Sequence, residues 1–162
     1  MQLEGADVNL EAVRLYNNHN RQTLWNAIKN RFAHRCNDLL PTDRVLNQLE
    51  EADFRHLGLV EVSVKSIVGS SGRNNDFDLE FNPLRNDLGD RWIHVAQAIL
   101  SGRRLPPIQL YKIGDVYFVL DGHHRLSVAR ASGQQLICAN VVEINIQDLK
   151  LENSCARLGY KV

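Results

Sequence analysis

No run of apolar residues in this 162-residue chain approaches the roughly 20 needed to span a bilayer, so a membrane-spanning helix is not expected. Residues 1–10 are acidic and lack the basic and apolar regions of a secretory signal. The three cysteines, Cys36, Cys138 and Cys155, are too far apart to indicate a disulfide framework or a metal knuckle. We interpret each as a structural thiol that behaves as a small buried hydrophobe. These absences predict a cytoplasmic protein without a membrane partner.

The chain also lacks a net charge, because 19 basic residues balance 19 acidic ones. The charges are nevertheless segregated. Residues 11–35 have a net charge of +4, residues 36–90 have −6 (5 basic, 11 acidic), and residues 91–162 have +4 (9 basic, 5 acidic). Such an acidic middle segment argues against non-specific wrapping of nucleic acid, where phosphate neutralisation supplies most of the affinity. A local basic patch stays open as an alternative.

The first third of the chain has a helical pattern. Within residues 21–36 the apolar side chains recur at helical spacing and the basic ones fall on the other side. A second helix is predicted after Pro41, with Thr42 as its N-cap. The basic side is either a solvated surface or a nucleic-acid face, and its residues are Arg21, Lys29, Arg31 and Arg35.

The middle of the chain predicts a strand, a loop and a helix. Residues 59–68 are rich in β-branched side chains and predict one strand, which ends in a turn at residues 69–72. Residues 74–83 are polar and irregular and predict a solvated loop. Residues 87–101 predict a helix with Trp92 in the core and Gly102 as its terminator.

The last third has the clearest pattern. Residues 106–111 and 116–120 predict a hairpin around the tight turn Gly114-Asp115. A helix is predicted over residues 124–132, with Gly133 as its end, and residues 135–146 predict a final strand. The order of elements predicts an α+β fold, a small mixed β-sheet with packed helices, preceded by an N-terminal helical arm.

The turn at residues 121–125, with the sequence Asp-Gly-His-His-Arg, joins a buried strand directly to a helix. Gly122 removes a Cβ that would crowd a ligand, and the first helical turn offers N–H groups without intrahelical partners. The helix dipole adds partial positive charge, so an anion site is predicted. Arg125 is expected to direct its guanidinium at a phosphate. His123 and His124 are expected to add donors that become cationic near neutral pH.

Asp121 is the exception in this turn, because a carboxylate repels a phosphate. Three roles are open: it caps the helix, it holds a histidine or Arg125 in place, or it ligates a Mg²⁺ ion that bridges to phosphate. The two histidines are either catalytic together with Asp121 or structural and hydrogen-bonded. A metal shared by His123 and His124 is not expected, because zinc-binding helices use the i,i+4 spacing.

The nine residues from Asp121 to Ala129 resemble the signature of the ParB/sulfiredoxin-like superfamily, also known as the ParB-like nuclease domain. Its members share a strand, a glycine turn, a helix-starting arginine and an alanine-rich helix. The resemblance implies a helical arm at residues 1–57, a ParB/sulfiredoxin-like domain at residues 58–146, and a tail at residues 147–162. It also implies a nucleotide partner such as CTP, ATP or ADP.

The chain departs from the superfamily pattern at two positions. ParB partition proteins, which bind CTP and DNA, have glycine-acid-arginine-arginine, and here only Gly122 and Arg125 match. Sulfiredoxins place a nucleophilic cysteine where this chain has His123, so sulfinic acid reduction is not expected. The histidine-histidine-arginine version is more similar to the ADP-dependent free serine kinases and related ParB-like proteins. Because only about 16 residues follow Ile146, a partition protein's helix-turn-helix DNA-binding domain is not expected.

Two further features could complete the site. Gly72 and Arg73 follow the predicted strand, and Arg73 either reaches a second phosphate or belongs to a plain turn. The acidic residues after them either form a solvated loop or supply a Mg²⁺ ligand, for which Asp76 is the candidate beside Asp121. A kinase would also need a carboxylate base. The candidates for that base are Glu61, Asp76 and Asp78.

Four functions are compatible with this pattern. The preferred one is a ParB-like module that binds a nucleotide or another phosphate ligand at residues 121–125, with or without nucleotide hydrolysis. The second is a small-molecule kinase of the free serine type. The third is a DNA-binding or nuclease protein that uses the basic helical arm. The fourth is an interaction module that forms a homodimer through the helices of residues 1–57.

Overall fold

The computed structural model describes residues 5–32, 40–41, 53–73, 76–78, 80–84 and 88–145. These residues form helices α1 (Gly5–Phe32), α2 (Gly89–Leu100) and α3 (His123–Ala131). Their strands are β1 (Leu40–Pro41), β2 (Asp53–Ser63), β3 (Ile67–Ser70), β4 (Ile108–Ile113), β5 (Val116–Asp121) and β6 (Leu136–Asn145). A 3-10 turn, Val64–Ser66, joins β2 to β3. None of the helices in the described ranges is both long and apolar enough to cross a membrane.

The six strands form one mixed sheet in the order β1-β3-β5-β4-β6-β2. Strands β4 and β5 are the predicted antiparallel hairpin, and β4 also pairs in parallel with β6. Strand β2 closes one edge by pairing antiparallel with β6 over ten register positions. The α+β class with a mixed sheet is therefore confirmed.

The sheet has to curl, because the chain passes from β2 to β3 in only three residues. These strands are four spacings apart in the sheet order, about 19 Å if the sheet were flat. A three-residue 3-10 turn advances only about 6 Å. Arg130 of α3 holds this crossover, because its Nη2 donates to the carbonyls of Val64 at 3.2 Å and Ile67 at 2.6 Å.

Helix α3 is buried between two layers. Leu126 and Ala129 pack into the core against the sheet, together with Phe77 and Phe81 from the loop after β3. On its other side Val128 joins a second cluster formed with α1 and α2, in which Trp92 is fully buried. The prediction that Trp92 is a core residue is confirmed. Because both sides of α3 are covered, its amino end is held rigidly against the sheet.

Several predictions about elements need correction. The predicted strand 59–68 is two strands separated by the 3-10 turn, and β2 begins already at Asp53. Residues 21–32 of the helix predicted at residues 21–36 belong to the longer α1, and residues 33–36 lie outside the described residues. The predicted solvated loop after β3 is anchored by Phe77 and Phe81, both fully buried. Cys138 is exposed rather than buried, because it lies on the outer face of β6.

Other predictions were accurate or lie outside the described ranges. Gly102 and Gly133 follow the last residues of α2 and α3 by two positions and have φ values of +70° and +72°, as expected for helix terminators. The helix expected after Thr42, and the thiols of Cys36 and Cys155, fall outside the described residues. Arg21 is exposed on α1, whereas the side chains of Lys29 and Arg31 and the whole of Arg35 are not described.

Candidate functional site

The candidate site lies where β5 ends and α3 begins, at Gly122. This residue has a φ of +99°, a conformation that L side chains rarely adopt, and it is the N-cap of α3. A Cβ at this position would overlap the side chain of Ile108 on β4. The glycine is therefore required by packing between strand and helix; that it also makes room for a ligand stays a prediction.

No side chain caps the amino end of α3. The first helical hydrogen bond runs from the N–H of Leu126 to the carbonyl of Gly122 at 3.0 Å, so the preceding N–H groups have no partner within the helix. Their dipoles give this end partial positive charge. Of the three roles left open for Asp121, the structure does not show the cap; it shows the carboxylate holding Arg125 in place instead.

The guanidinium of Arg125 is used inside the protein. Its Nη2 donates to Asp121 at 2.6 Å, and its Nη1 donates to the carbonyls of Pro106 and Pro107, the latter at 3.0 Å. Only 16% of its side chain is exposed. The expectation that Arg125 points outward at a phosphate is thus wrong. The physical reason for this orientation is that the double proline before β4 presents two carbonyls to the start of the helix. The Nη1 of Arg125 donates to both of them.

His123 is a buried, hydrogen-bonded residue. Its Nε2 lies 2.6 Å from the hydroxyl of Ser70 at the end of β3, and its ring stacks on Phe77 with centroids 5.4 Å apart. Burial, and then the charge of Arg73, lower the pKa of His123 to about 4. The expected positive charge near neutral pH is therefore absent, and of the two open roles the structure supports the structural one.

His124 is buried as well, but it has no comparable partner. Its side chain contacts the edge of Phe77, with centroids 5.3 Å apart, and the residue is 6% exposed. Within the described part of the chain, neither of its ring nitrogens has a hydrogen-bond partner. Burial, followed by the charges of Arg91 and Arg73, lowers the pKa of His124 to about 4. Such unpaired buried polar atoms are rare in folded proteins and indicate a missing ligand or water.

A cleft of about 210 Å³ opens in front of these residues. Besides residues 121–125, its walls include Arg73 from the loop after β3 and Arg91 from the first turn of α2. The predicted residue Arg73 is thus brought to the site, 3.8 Å from the carboxylate of Asp76. Gly72 forms the left-handed turn before it, at φ +79°, and does not line the cleft.

Sequence reasoning missed Arg91. It stands one residue before the core residue Trp92, and it reads in isolation as an ordinary exposed helix residue. Only the packing of α2 against α3 brings it to the cleft. Helical spacing gave a weak signal that Arg91 is available to a site. With Trp92 in the core, its neighbour Arg91 faces away from the cluster formed with α1 and α2.

The three acidic residues proposed as a carboxylate base lie in different environments. Asp78 is buried, and its carboxylate accepts from the N–H of Glu80 at 3.0 Å, from the N–H of Asn82 at 2.8 Å and from its side-chain amide at 2.6 Å. Burial raises the pKa of Asp78. Glu61 is exposed on the edge strand β2. Of the three proposed bases, Asp76 is the one whose charge acts on His124.

The residues predicted to hold Mg²⁺ do not form a metal site by themselves. Asp121 pairs with Arg125, and Asp76 pairs with Arg73. Among the residues that the structure describes, no three histidine, cysteine, aspartate or glutamate side chains are grouped to hold one ion. Binding of Mg²⁺ stays a prediction, and it would need phosphate oxygens as additional ligands.

Comparison with known proteins gives one structural similarity. No protein-family model matches the chain, and no curated protein shows significant sequence similarity to it. Among solved structures, the chain is similar to sulfiredoxin from Arabidopsis thaliana, with 15% sequence identity and a TM-score of 0.40. This similarity covers 62% of the present chain and 96% of the sulfiredoxin chain.

Proposed function

We propose that this protein binds a phosphate-bearing ligand, such as a nucleotide, with the phosphate in the cleft in front of α3. The observation that carries the proposal is His124, a residue that lines the cleft and whose two buried ring nitrogens find no partner in the described chain. A buried polar group of this kind costs stability unless a ligand or water satisfies it. Binding is thus the role that explains its position.

The charges around the cleft favour an anion. The arginines at positions 73, 91 and 125 and the carboxylates of Asp76 and Asp121 leave a net charge of +1, to which the amino end of α3 adds. Arg91 is exposed, and the described residues supply no ion pair for it. Together with the uncapped N–H groups of α3, this arrangement is typical of phosphate sites. Because Arg125 is paired with Asp121 and Arg73 with Asp76, Arg91 supplies the positive charge that favours the anion.

The size of the cleft suggests which part of the ligand it holds. At about 210 Å³ it is smaller than the 300 Å³ or more typical of sites that enclose a whole drug-sized ligand. A nucleotide would place its phosphates in the cleft and extend its sugar and base beyond it. We propose binding and no catalytic step, because the two aspartates proposed as a base have other partners. Asp78 accepts a hydrogen bond from Asn82, and Asp76 is paired with Arg73.

Thermal unfolding with and without ligands tests this function. We expect inorganic phosphate, and more strongly CTP, ATP or ADP with Mg²⁺, to raise the Tm by several degrees at concentrations well above Kd. The substitution Arg91→Ala should weaken binding about tenfold or more, because it removes a charged donor without touching the core. Arg104→Ala removes an exposed arginine outside the cleft and should leave the shift unchanged. Absence of a shift with every phosphate compound at millimolar concentration would contradict the proposal.

A further inference from the structure

The environment of His124 also predicts how the cleft adapts to the charge of its ligand. We propose that His124 takes up a proton from the solvent when a doubly charged oxyanion enters the cleft, so that the anion is bound by an imidazolium. This inference rests on the proposed function and deepens it. It assigns the cleft to fully ionised tetrahedral oxyanions. His124 is then the residue that adjusts the charge of the cleft to the charge of the anion.

The hydrogen-bonding capacity of the imidazole is the first argument. A neutral imidazole has one donor and one acceptor nitrogen, whereas a fully ionised phosphate or sulfate group only accepts. Both nitrogens of His124 are shielded from solvent and unpaired within the described chain. In the neutral form only one of the two nitrogens can donate to such an anion. Protonation makes both nitrogens donors and adds a positive charge that attracts the anion.

The charge balance of the cleft is the second argument. The described charged side chains leave a net charge of +1, so a dianion would make the site −1, and one proton would restore neutrality. Charges interact more strongly in a partly buried cleft than in water, which makes this balance important. The groups that face His124 or share its cleft are Arg73 and Asp76 from the loop after β3, Arg91 from α2, His123 on α3, and the Asp121–Arg125 pair.

The charged groups around His124 act on its protonation in opposite directions. Arg91 and Arg73 oppose protonation of His124, while Asp76 favours it. His123 is bound to Ser70 and is held neutral by burial, so it does not compete for the proton. An anion that binds between the two arginines offsets their repulsion. The pKa of His124, about 4 in this structure, therefore rises in the complex.

The sign of the resulting pH dependence follows from linkage. Between the free pKa of about 4 and the higher pKa of the complex, the complex binds more protons than its components. Affinity must then fall as the pH rises, by about tenfold per pH unit at most, and it becomes independent of pH above the pKa of the complex.

Sulfate is the appropriate probe, because it accepts hydrogen bonds only and its charge does not change above pH 5. We expect the Kd of the full chain for sulfate to increase between pH 5.5 and pH 8. Isothermal titration calorimetry at pH 6 in two buffers of different ionisation enthalpy should show net proton uptake of up to one proton per site. Both measurements on the wild-type protein require no substitution, so they stand even if a variant folds poorly.

The variant His124→Asn separates this residue from other titrating groups. Asparagine keeps a donor and an acceptor but does not titrate, so sulfate binding should lose its pH dependence and its proton uptake. The matched control His94→Asn changes an exposed histidine of α2 outside the cleft and should behave like the wild type.

The outcomes distinguish the two proposals. Sulfate binding without pH dependence and without proton uptake would overturn this inference and leave the proposed function intact. Unchanged pH dependence in His124→Asn would also overturn it, because another group would then carry the proton. Failure of both sulfate and phosphate to bind at any pH would overturn the proposed function itself.

Discussion

At the scale of single residues, Gly122 and Arg125 hold the candidate site in place. Gly122 lets β5 turn into α3 within one residue, and Arg125 ties the start of the helix to the carbonyls of Pro106 and Pro107. Neither contact needs a ligand. These contacts hold the site in place without a ligand, and the groups that we propose to contact a ligand are His124, Arg73 and Arg91.

Substitution of Gly122 by alanine tests this packing. We expect Gly122→Ala to lower the free energy of unfolding by roughly 3 kcal/mol, because the new Cβ is strained at positive φ and overlaps Ile108. Gly133→Ala is the matched control, since Gly133 also has a positive φ but has open space around its Cβ position. Its cost should be about 1 kcal/mol. Equal losses for the two variants in chemical denaturation would show that Ile108 yields to the added methyl group.

At the scale of elements, α3 explains how polar side chains come to be buried. It packs on the sheet with one side and on α1 and α2 with the other, so that His123, His124 and Ser127 all lie in the interior. The buried hydroxyl of Ser127 has a hydrogen-bond partner, because it accepts from the indole N–H of Trp92 at 2.7 Å. This bond connects α2 to α3 and holds Arg91, the neighbour of Trp92, at the cleft.

Removal of the Ser127 hydroxyl should weaken this connection. We expect Ser127→Ala to cost about 1 to 3 kcal/mol, because the indole N–H of Trp92 is then buried without a partner. Ser132→Ala, at the exposed end of the same helix, should change stability by less than about 0.5 kcal/mol. Denaturant unfolding followed by Trp fluorescence measures both. A loss for Ser127→Ala as small as that for Ser132→Ala would contradict the role of this bond.

At the scale of the whole molecule, buried histidines make the fold sensitive to acid. Burial is the largest cause that lowers the pKa of His19, His123 and His124 to about 4. His19 stacks on Trp92 between α1 and α2. The three histidines therefore lie in two places, the helical layer and the candidate site. In the unfolded chain the same side chains titrate near pH 6.5.

Stability should therefore fall as the pH decreases from about 6.5 to about 4. In this range the unfolded chain binds protons that the folded chain does not bind. Each histidine contributes up to about 3 kcal/mol to the free energy of unfolding, and this contribution is fully present only above pH 6.5. We expect the Tm measured by circular dichroism to drop steadily between pH 7 and pH 4.5. His19→Gln should reduce this slope, whereas His56→Gln, an exposed position on β2, should not. A Tm that stays constant over this range would contradict the prediction.

Much of the fold could be predicted from local pattern. The hairpin around Gly114-Asp115, the ends of α2 and α3 at Gly102 and Gly133, and the strand-to-helix turn at Gly122 are all present. Each depends on backbone preferences within a few neighbouring residues. The split of the predicted strand 59–68 was missed, because the crossover between β2 and β3 is held by Arg130, more than sixty positions away in sequence.

The α+β class and the boundaries of the elements after residue 87 therefore follow from the sequence alone, because short-range conformational preferences specify both. Long-range packing settles what the cleft presents to a ligand. Arg125 lines the cleft as expected, but its guanidinium is engaged by Pro106 and Pro107, whereas Arg91 was not expected and is brought in by α2. The partners and the charge of a side chain depend on residues that become neighbours only when the chain folds.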